Sequence, residues 1–216
     1  MRVLARALVV LMALLPLACS AAEEAKYKLG THYKAVRQPQ APADPSKIEV
    51  LEVFSYSCPH CFQFEGPLDQ WLSKKPADVN FLRLPHTLGS PAGIIRNKAF
   101  YAADMLGVFG KFHRALFGAI HGQGKMMASV EEVRALFVAQ TGLKAEDFDG
   151  AYSGFAVDSR YRMAENAIRE MGIASVPTLV VEGKYAVSPR AGGGFTEMLA
   201  VVDHLIEQSR QERKSR

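Results

Sequence analysis

A seven-residue apolar run, Ile48 to Phe54, ends just before the sequence Cys58-Pro59-His60-Cys61, where a helical pattern begins. That junction constrains the fold more than any other feature of the chain. Leu51 and Val53 fall on one face of the run and Ile48, Val50 and Phe54 on the other, as in a strand buried on both sides within an α/β sheet. Phe62, Phe64, Leu68, Trp71 and Leu72 continue at spacings that fit a helix. Pro59 suits its first turn, whereas Pro67 removes an internal hydrogen bond and is expected to kink it. A second strand, Val79 to Leu84, ends at Pro85. The chain therefore opens β-α-β, with two thiols where the first strand gives way to the helix.

What those thiols mean depends on the compartment. Arg2 and Arg6 precede the apolar stretch Ala7 to Ala18, and the small residues Ser20, Ala21 and Ala22 come before Glu23 and Glu24. This is the three-part pattern of a secretory signal, too short to span a bilayer comfortably. Residues 1–22 are expected to be removed, most simply after Ala22. Leu17-Ala18-Cys19 opens a second reading, in which Cys19 becomes an acylated first residue, although Pro16 stands where such signals prefer a branched apolar side chain. The chain has three cysteines, so cleavage after Ala22 leaves Cys58 and Cys61 as the mature protein's only thiols. In a reducing cytosol such a pair suggests a reductase or a metal site; in an oxidising compartment it can exist as a disulfide donor. The formal net charge of +4 falls to +2 once Arg2 and Arg6 are lost, which argues against nucleic-acid binding.

The rest of the chain alternates in type. Residues 23–47 are polar, with Pro39, Pro42 and Pro45, and read as an extended lead-in. From residue 88 to 171 the signals are helical. Ser90-Pro91 starts one helix, Phe109, Phe112, Leu116 and Ile120 stripe a second, and Ser129 with Glu132 forms a capping box for a third that closes at Gly142. Two more follow around 145–152 and 155–171, the last ended by Gly172. Thr178 to Val181, a Glu182-Gly183 turn and Lys184 to Val187 then make a hairpin. Gly192-Gly193-Gly194 connects it to a final amphipathic helix through Met198, Val202, Leu205 and Ile206, and Arg210 to Arg216 read as a solvated basic tail.

A thiol attacks a disulfide only as thiolate. At the helix N-terminus Cys58 faces unpaired backbone N–H groups and the positive end of the helix dipole, and His60 adds a donor or a positive charge. Stabilising that thiolate stabilises the reduced pair, so the disulfide becomes the stronger oxidant. Cys61, one turn further in, is the partner thiol. Glu52 breaks the apolar face it shares with Val50 and Phe54; burial should raise its pKa and make it a proton acceptor near the thiols, unless it is a pleat-edge residue reaching water. Arg83, on the second strand, could sit opposite as its charge partner. A structural disulfide rarely closes so small a loop, and a metal site needs a second ligand cluster that His86, His113 and His121 do not form by their spacing.

The segment Phe54-Ser55-Tyr56-Ser57-Cys58-Pro59-His60-Cys61, with Glu52 before it and Val176-Pro177 ahead of the returning strand, resembles the DsbA-type periplasmic thiol:disulfide oxidoreductases. The resemblance implies an α/β protein: a thioredoxin fold (48–87 and 165–209) interrupted by a helical domain (88–164). It implies that Pro177 is a cis-proline facing the Cys58-Cys61 disulfide, that Val176 offers backbone hydrogen bonds to an extended client, and that Glu52 matches a buried family glutamate. Arg83 departs from a lysine at the corresponding place, and arginine holds its proton, so it would carry charge without shuttling it. The implied activity is oxidation of newly exported proteins with free cysteines, in the periplasm, with a DsbB-like membrane quinone reductase as reoxidant. The expectation is a monomer using no metal or other cofactor and binding no nucleic acid. Two alternatives remain: a disulfide isomerase or dedicated-client reductase, and a chaperone-like binding module using its helical surface.

Overall fold

A computed structural model describes residues 26–189 and 193–215. The proposed signal 1–22, with Cys19, and Gly192 lie outside the described residues. The elements run β1 (Lys34–Ala35), β2 (Ile48–Phe54), α1 (Pro59–Leu72), β3 (Val79–Pro85), α2 (Pro91–Met105) and α3 (Phe109–Phe117), which passes into a π-helical turn at Gly118–Gly122. Then come α4 (Val130–Thr141), α5 (Ala145–Tyr152), α6 (Phe155–Met171), β4 (Thr178–Val181), β5 (Tyr185–Val187) and α7 (Gly194–Lys214). The strands form one mixed sheet in the order β1-β5-β4-β2-β3; β2 is parallel to β3 and antiparallel to β4. This is an α/β thioredoxin fold carrying a block of helices between β3 and β4.

Every residue of β2 is buried, because the sheet is covered on both faces. On one side Ile48 and Val50 pack with Phe64 and Leu68 of α1 and with Val202 and Leu205 of α7. On the other, Leu51 and Val53 meet Ile168 and Met171 of α6. The end of β2 leaves this core: Phe54, Tyr56 and Cys61 belong to the apolar cluster of the helical block, with Phe100, Phe112 and Phe117. The thiol-bearing turn is thus built from strand residues on one side and helical-block residues on the other. Helix α6 bridges both, with Val157 and Ala164 in the helical cluster and Ile168 and Met171 under the sheet.

Local signals explain the helix ends. Ser129 Oγ accepts from the Glu132 N–H at 3.2 Å and Glu132 Oε2 accepts from the Ser129 N–H at 3.1 Å, completing the capping box. Gly172 closes α6 in the left-handed region at φ 73°.

Two expectations need correction. The stretch 23–47 is not merely an extended lead-in: β1 pairs antiparallel with β5, and Val36 is buried. The β4–β5 turn leans on this segment, since Gln40 N–H donates to the Gly183 carbonyl at 3.1 Å and a Cβ on Gly183 would collide with Gln40. Of the basic end 210–216, Arg216 lies outside the described residues and 210–214 are not a free tail, because α7 runs through Lys214. Arg210 makes a two-pronged ion pair with Asp78 at 2.7 and 2.8 Å, and Arg213 joins Glu182 and the carbonyls of Pro45 and Lys47. Charge on this helix is spent on tethering, which composition alone does not distinguish from solvation.

Candidate active site

Cys58 is the N-cap of α1, in extended conformation at φ −94° and ψ 115°, with Pro59 opening the helix. Its sulfur therefore stands in the place of a capping oxygen. The Cys61 N–H points at Cys58 Sγ at 3.4 Å, donating to it as an N-terminal helix N–H donates to a cap. Cys58 is half-buried and Cys61 has no exposure at all. The two thiols therefore differ in access and in environment. Burial, reinforced by the neighbouring Cys58 and Glu52 and opposed only by the Ser55 backbone, pushes the Cys61 thiol far above its ordinary range.

Val176 and Pro177 come to the same place from the other end of the chain. The bond between them is cis, and the Cys58 thiol donates to the Val176 carbonyl at 3.6 Å. Beside them lies a cleft of about 390 Å³, lined among others by His60, Gln63, Val176, Pro177 and Phe195. His60 is exposed at its rim, with Nδ1 3.3 Å from Gln63 Oε1. The six residues singled out in the sequence fall into three layers: Cys58 and Val176 at the surface with His60, the buried Pro177 and Cys61 beneath, and Glu52 on the strand below α1.

Glu52 is fully buried, so the pleat-edge reading fails. Register puts it directly opposite Arg83, whose Nε donates to Glu52 Oε2 at 2.8 Å. Burial outweighs the attraction of Arg83, and with the nearby Glu65 charge raises the Glu52 pKa to about 7. Its other oxygen, Oε1, is buried without a partner among the described residues.

The ion pair continues into a chain of groups that the sequence did not connect. Arg83 Nη2 lies 3.8 Å from Glu65 Oε2, and His113 Nε2 lies 3.1 Å from the same oxygen. The other nitrogen, His113 Nδ1, is 2.8 Å from the Tyr56 hydroxyl. A carboxylate can only accept, so His113 Nε2–H donates to Glu65 and Tyr56 O–H donates to Nδ1. Burial keeps the His113 pKa low, with Glu65 opposing it. Glu65 is half-buried, but the His113 hydrogen bond and the Arg83 charge hold its carboxyl below the usual range. Only Glu65 carried a local sign, four residues after Cys61 and so on the same helix face. His121 closes the turn from another side, its Nε2 2.9 Å from the Tyr56 carbonyl and its ring stacked on Phe62.

An accessible capping thiol, a buried partner thiol three residues on, and a cis-proline loop in contact with the first sulfur define a thioredoxin-fold thiol:disulfide oxidoreductase. A family model described as a DSBA-like thioredoxin domain matches residues 82–199. That match begins after the thiol turn, but alignments with whole relatives reach across it. The thiol:disulfide interchange protein DsbA of Pseudomonas aeruginosa is 37% identical over 209 residues, 96% of this chain and 97% of that protein. DsbA of Azotobacter vinelandii is 40% identical over 186 residues, 86% of each chain. The crystal structure of Pseudomonas aeruginosa DsbA superposes with a TM-score of 0.80 at 36% identity, covering 87% of this chain and 97% of that one. The chain belongs to the DsbA family of thiol:disulfide interchange proteins.

Proposed function

We propose that the protein donates its Cys58–Cys61 disulfide to cysteine pairs of newly exported proteins. The observation that carries this reading is the asymmetry of the two thiols: one is a reachable helix cap, the other sealed beneath it with its protonated form favoured. A client thiolate attacks Cys58 Sγ; the new client–Cys58 bond forms as the Cys58–Cys61 bond breaks, and the electron pair leaves on Cys61. Glu52, which exchanges a proton near neutral pH, supplies the proton that Cys61 takes up. The client's second thiolate then attacks its own mixed-disulfide sulfur and expels Cys58, whose charge the α1 N-terminus and His60 stabilise. Two client thiols are oxidised and one enzyme disulfide is reduced. The Val176 carbonyl, held by the Cys58 thiol in the reduced protein, is free in the oxidised one to accept from an extended client backbone beside Pro177.

The setting follows from the same reading. Residues 1–22 direct export to the periplasm and are removed, a DsbB-like membrane quinone reductase restores the disulfide, and the protein works as a monomer. The cleft beside the cis-proline loop, walled by the start of α1, the Val176–Pro177 loop and the start of α7, takes the client backbone.

Mixing the oxidised protein with a reduced two-cysteine peptide tests this directly. The peptide disulfide should appear within seconds, and reduced Cys61→Ser mixed instead with the oxidised peptide should accumulate peptide bound to Cys58, since the thiolate opens the peptide disulfide and no Cys61 thiol is there to release it. An oxidised protein that leaves the peptide reduced would sink the proposal, and rescue of scrambled disulfides without net oxidation would assign an isomerase instead.

A further inference from the structure

Arg96 lies on α2 in the helical block, far in sequence from the thiols, and is only 4% exposed. A buried guanidinium ordinarily has a carboxylate against it, since an unpaired buried charge is costly. Among the described residues none pairs with Arg96. Its three partners are neutral: Nη1 donates to Ser57 Oγ at 2.6 Å, Nε to the Met127 carbonyl at 3.1 Å, and Nη2 to the Met126 carbonyl. Glu132, the acid whose charge acts on it, is occupied elsewhere, accepting from the Ala128 and Ser129 N–H groups at 2.8 and 3.1 Å.

Ser57 immediately precedes Cys58. The guanidinium therefore ties the residue before the nucleophile to the 126–127 segment of the helical block, where Met127 has the unfavourable φ of 47° and Met126 is 69% exposed. Planar forked donors suit that task, because three fixed N–H directions fix three oxygens relative to one another. The positive charge that comes with them has no carboxylate in direct contact among the described residues, next to the redox turn.

We propose that Arg96 is a positioning residue of the redox centre: it fixes the Ser57–Cys58 turn against the helical block and supplies positive potential that favours the Cys58 thiolate, and hence the reduced pair. The inference rests on Cys58 being the exchanging thiol. A cation bonded to the residue before a sulfur anion, in surroundings of intermediate dielectric, is expected to shift the balance between thiolate and disulfide by about tenfold.

The test is the equilibrium constant of the Cys58–Cys61 pair with glutathione, together with the rate at which iodoacetamide alkylates reduced Cys58 at fixed mildly acidic pH. Arg96→Met keeps the length and loses the charge; it should move the equilibrium about tenfold toward the disulfide form and slow alkylation in proportion. Arg96→Lys keeps the charge and loses the fork, and should recover most of both. Ser57→Ala, at an exposed position, severs only the link to the turn and should move the equilibrium in the same direction by about threefold. Equal shifts in Arg96→Met and Arg96→Lys, or values within about twofold of wild type in Arg96→Met, would overturn the proposal. Should Arg96→Met fail to fold, an unchanged Ser57→Ala equilibrium overturns it alone. A wild-type pair that does not equilibrate with glutathione would instead overturn the disulfide-donor reading on which the inference rests.

Discussion

Glu49 and Glu52 lie three residues apart on β2, both buried, and face opposite sides of the sheet. Around Glu49 the polar groups are matched. Its carboxylate accepts from the Ala43 N–H at 2.8 Å, its own N–H donates to Glu182 Oε1 at 2.9 Å, and its carbonyl accepts from the Glu182 N–H at 2.8 Å. Arg213 compensates Glu182 from α7. Burial raises the Glu49 pKa, with Ala43 opposing and Glu182 reinforcing. Around Glu52 the matching is incomplete: Arg83 satisfies one oxygen, while the other is buried without a partner, on the face where the Cys61 thiol is itself held protonated. An unsatisfied buried polar atom costs about 1–3 kcal/mol. At one end of the strand the Glu49 carboxylate holds the backbone at Ala43, and the Glu182 carboxylate joins the strand to Arg213 of α7. At the other it is left able to gain and lose a proton next to a thiol that must do the same.

The largest expected effect comes from removing the partner at the chemical end. Arg83→Met leaves a buried carboxylate alone and should cost about 3–5 kcal/mol of unfolding free energy above neutral pH. Below neutral pH the loss should shrink, because Glu52 then takes up a proton; a loss independent of pH in denaturant titrations would mean that Arg83 acts through packing alone. Next comes Glu52→Gln. The folded pKa of about 7 lies above the unfolded carboxylate value of 4.5, so the native state binds the extra proton between them. Stability is therefore highest below the unfolded value, falls as pH rises through that window by roughly 3 kcal/mol, and stays lower above it. Gln should flatten this slope and slow thiol exchange about tenfold near neutral pH; an unaltered slope and unaltered exchange across pH would remove Glu52 from the mechanism. The smallest effect is at Glu49→Gln, where about 1 kcal/mol of stability should be lost and the glutathione equilibrium should stay within about twofold of wild type. A larger redox shift would erase the contrast between the two ends.

Both glutamates interrupt apolar faces, yet only Glu52 was conspicuous in the sequence. It stands between Val50 and Phe54 in mid-strand, whereas Glu49 sits near the strand's beginning, where a residue is as often solvated as buried. The β-α-β opening, the Ser129–Glu132 capping box and the Glu182-Gly183 hairpin were legible because each is a local pattern with a local cause. Strand β1 was not, since two paired residues leave no periodicity, and its pairing with β5 is decided some 150 residues further on. The same holds for the Tyr56–His113–Glu65 connection and for Arg96: helices of the inserted block bring these groups to the thiol turn from well separated parts of the chain. Long-range polar partners leave no spacing rule to read. In the tail, Arg210 and Arg213 looked like solvated charge because their partners, Asp78 and Glu182, belong to distant loops.

The central claim is that this pair oxidises others, with the accessible Cys58 as the sulfur that clients attack and the sealed Cys61 favoured as thiol. Equilibrating the purified protein with reduced and oxidised glutathione at neutral pH measures that preference directly. The account predicts that the Cys58–Cys61 disulfide is reduced at a large excess of oxidised over reduced glutathione, conditions under which an ordinary structural disulfide stays closed. A pair that remained oxidised until reduced glutathione was in large excess would contradict it.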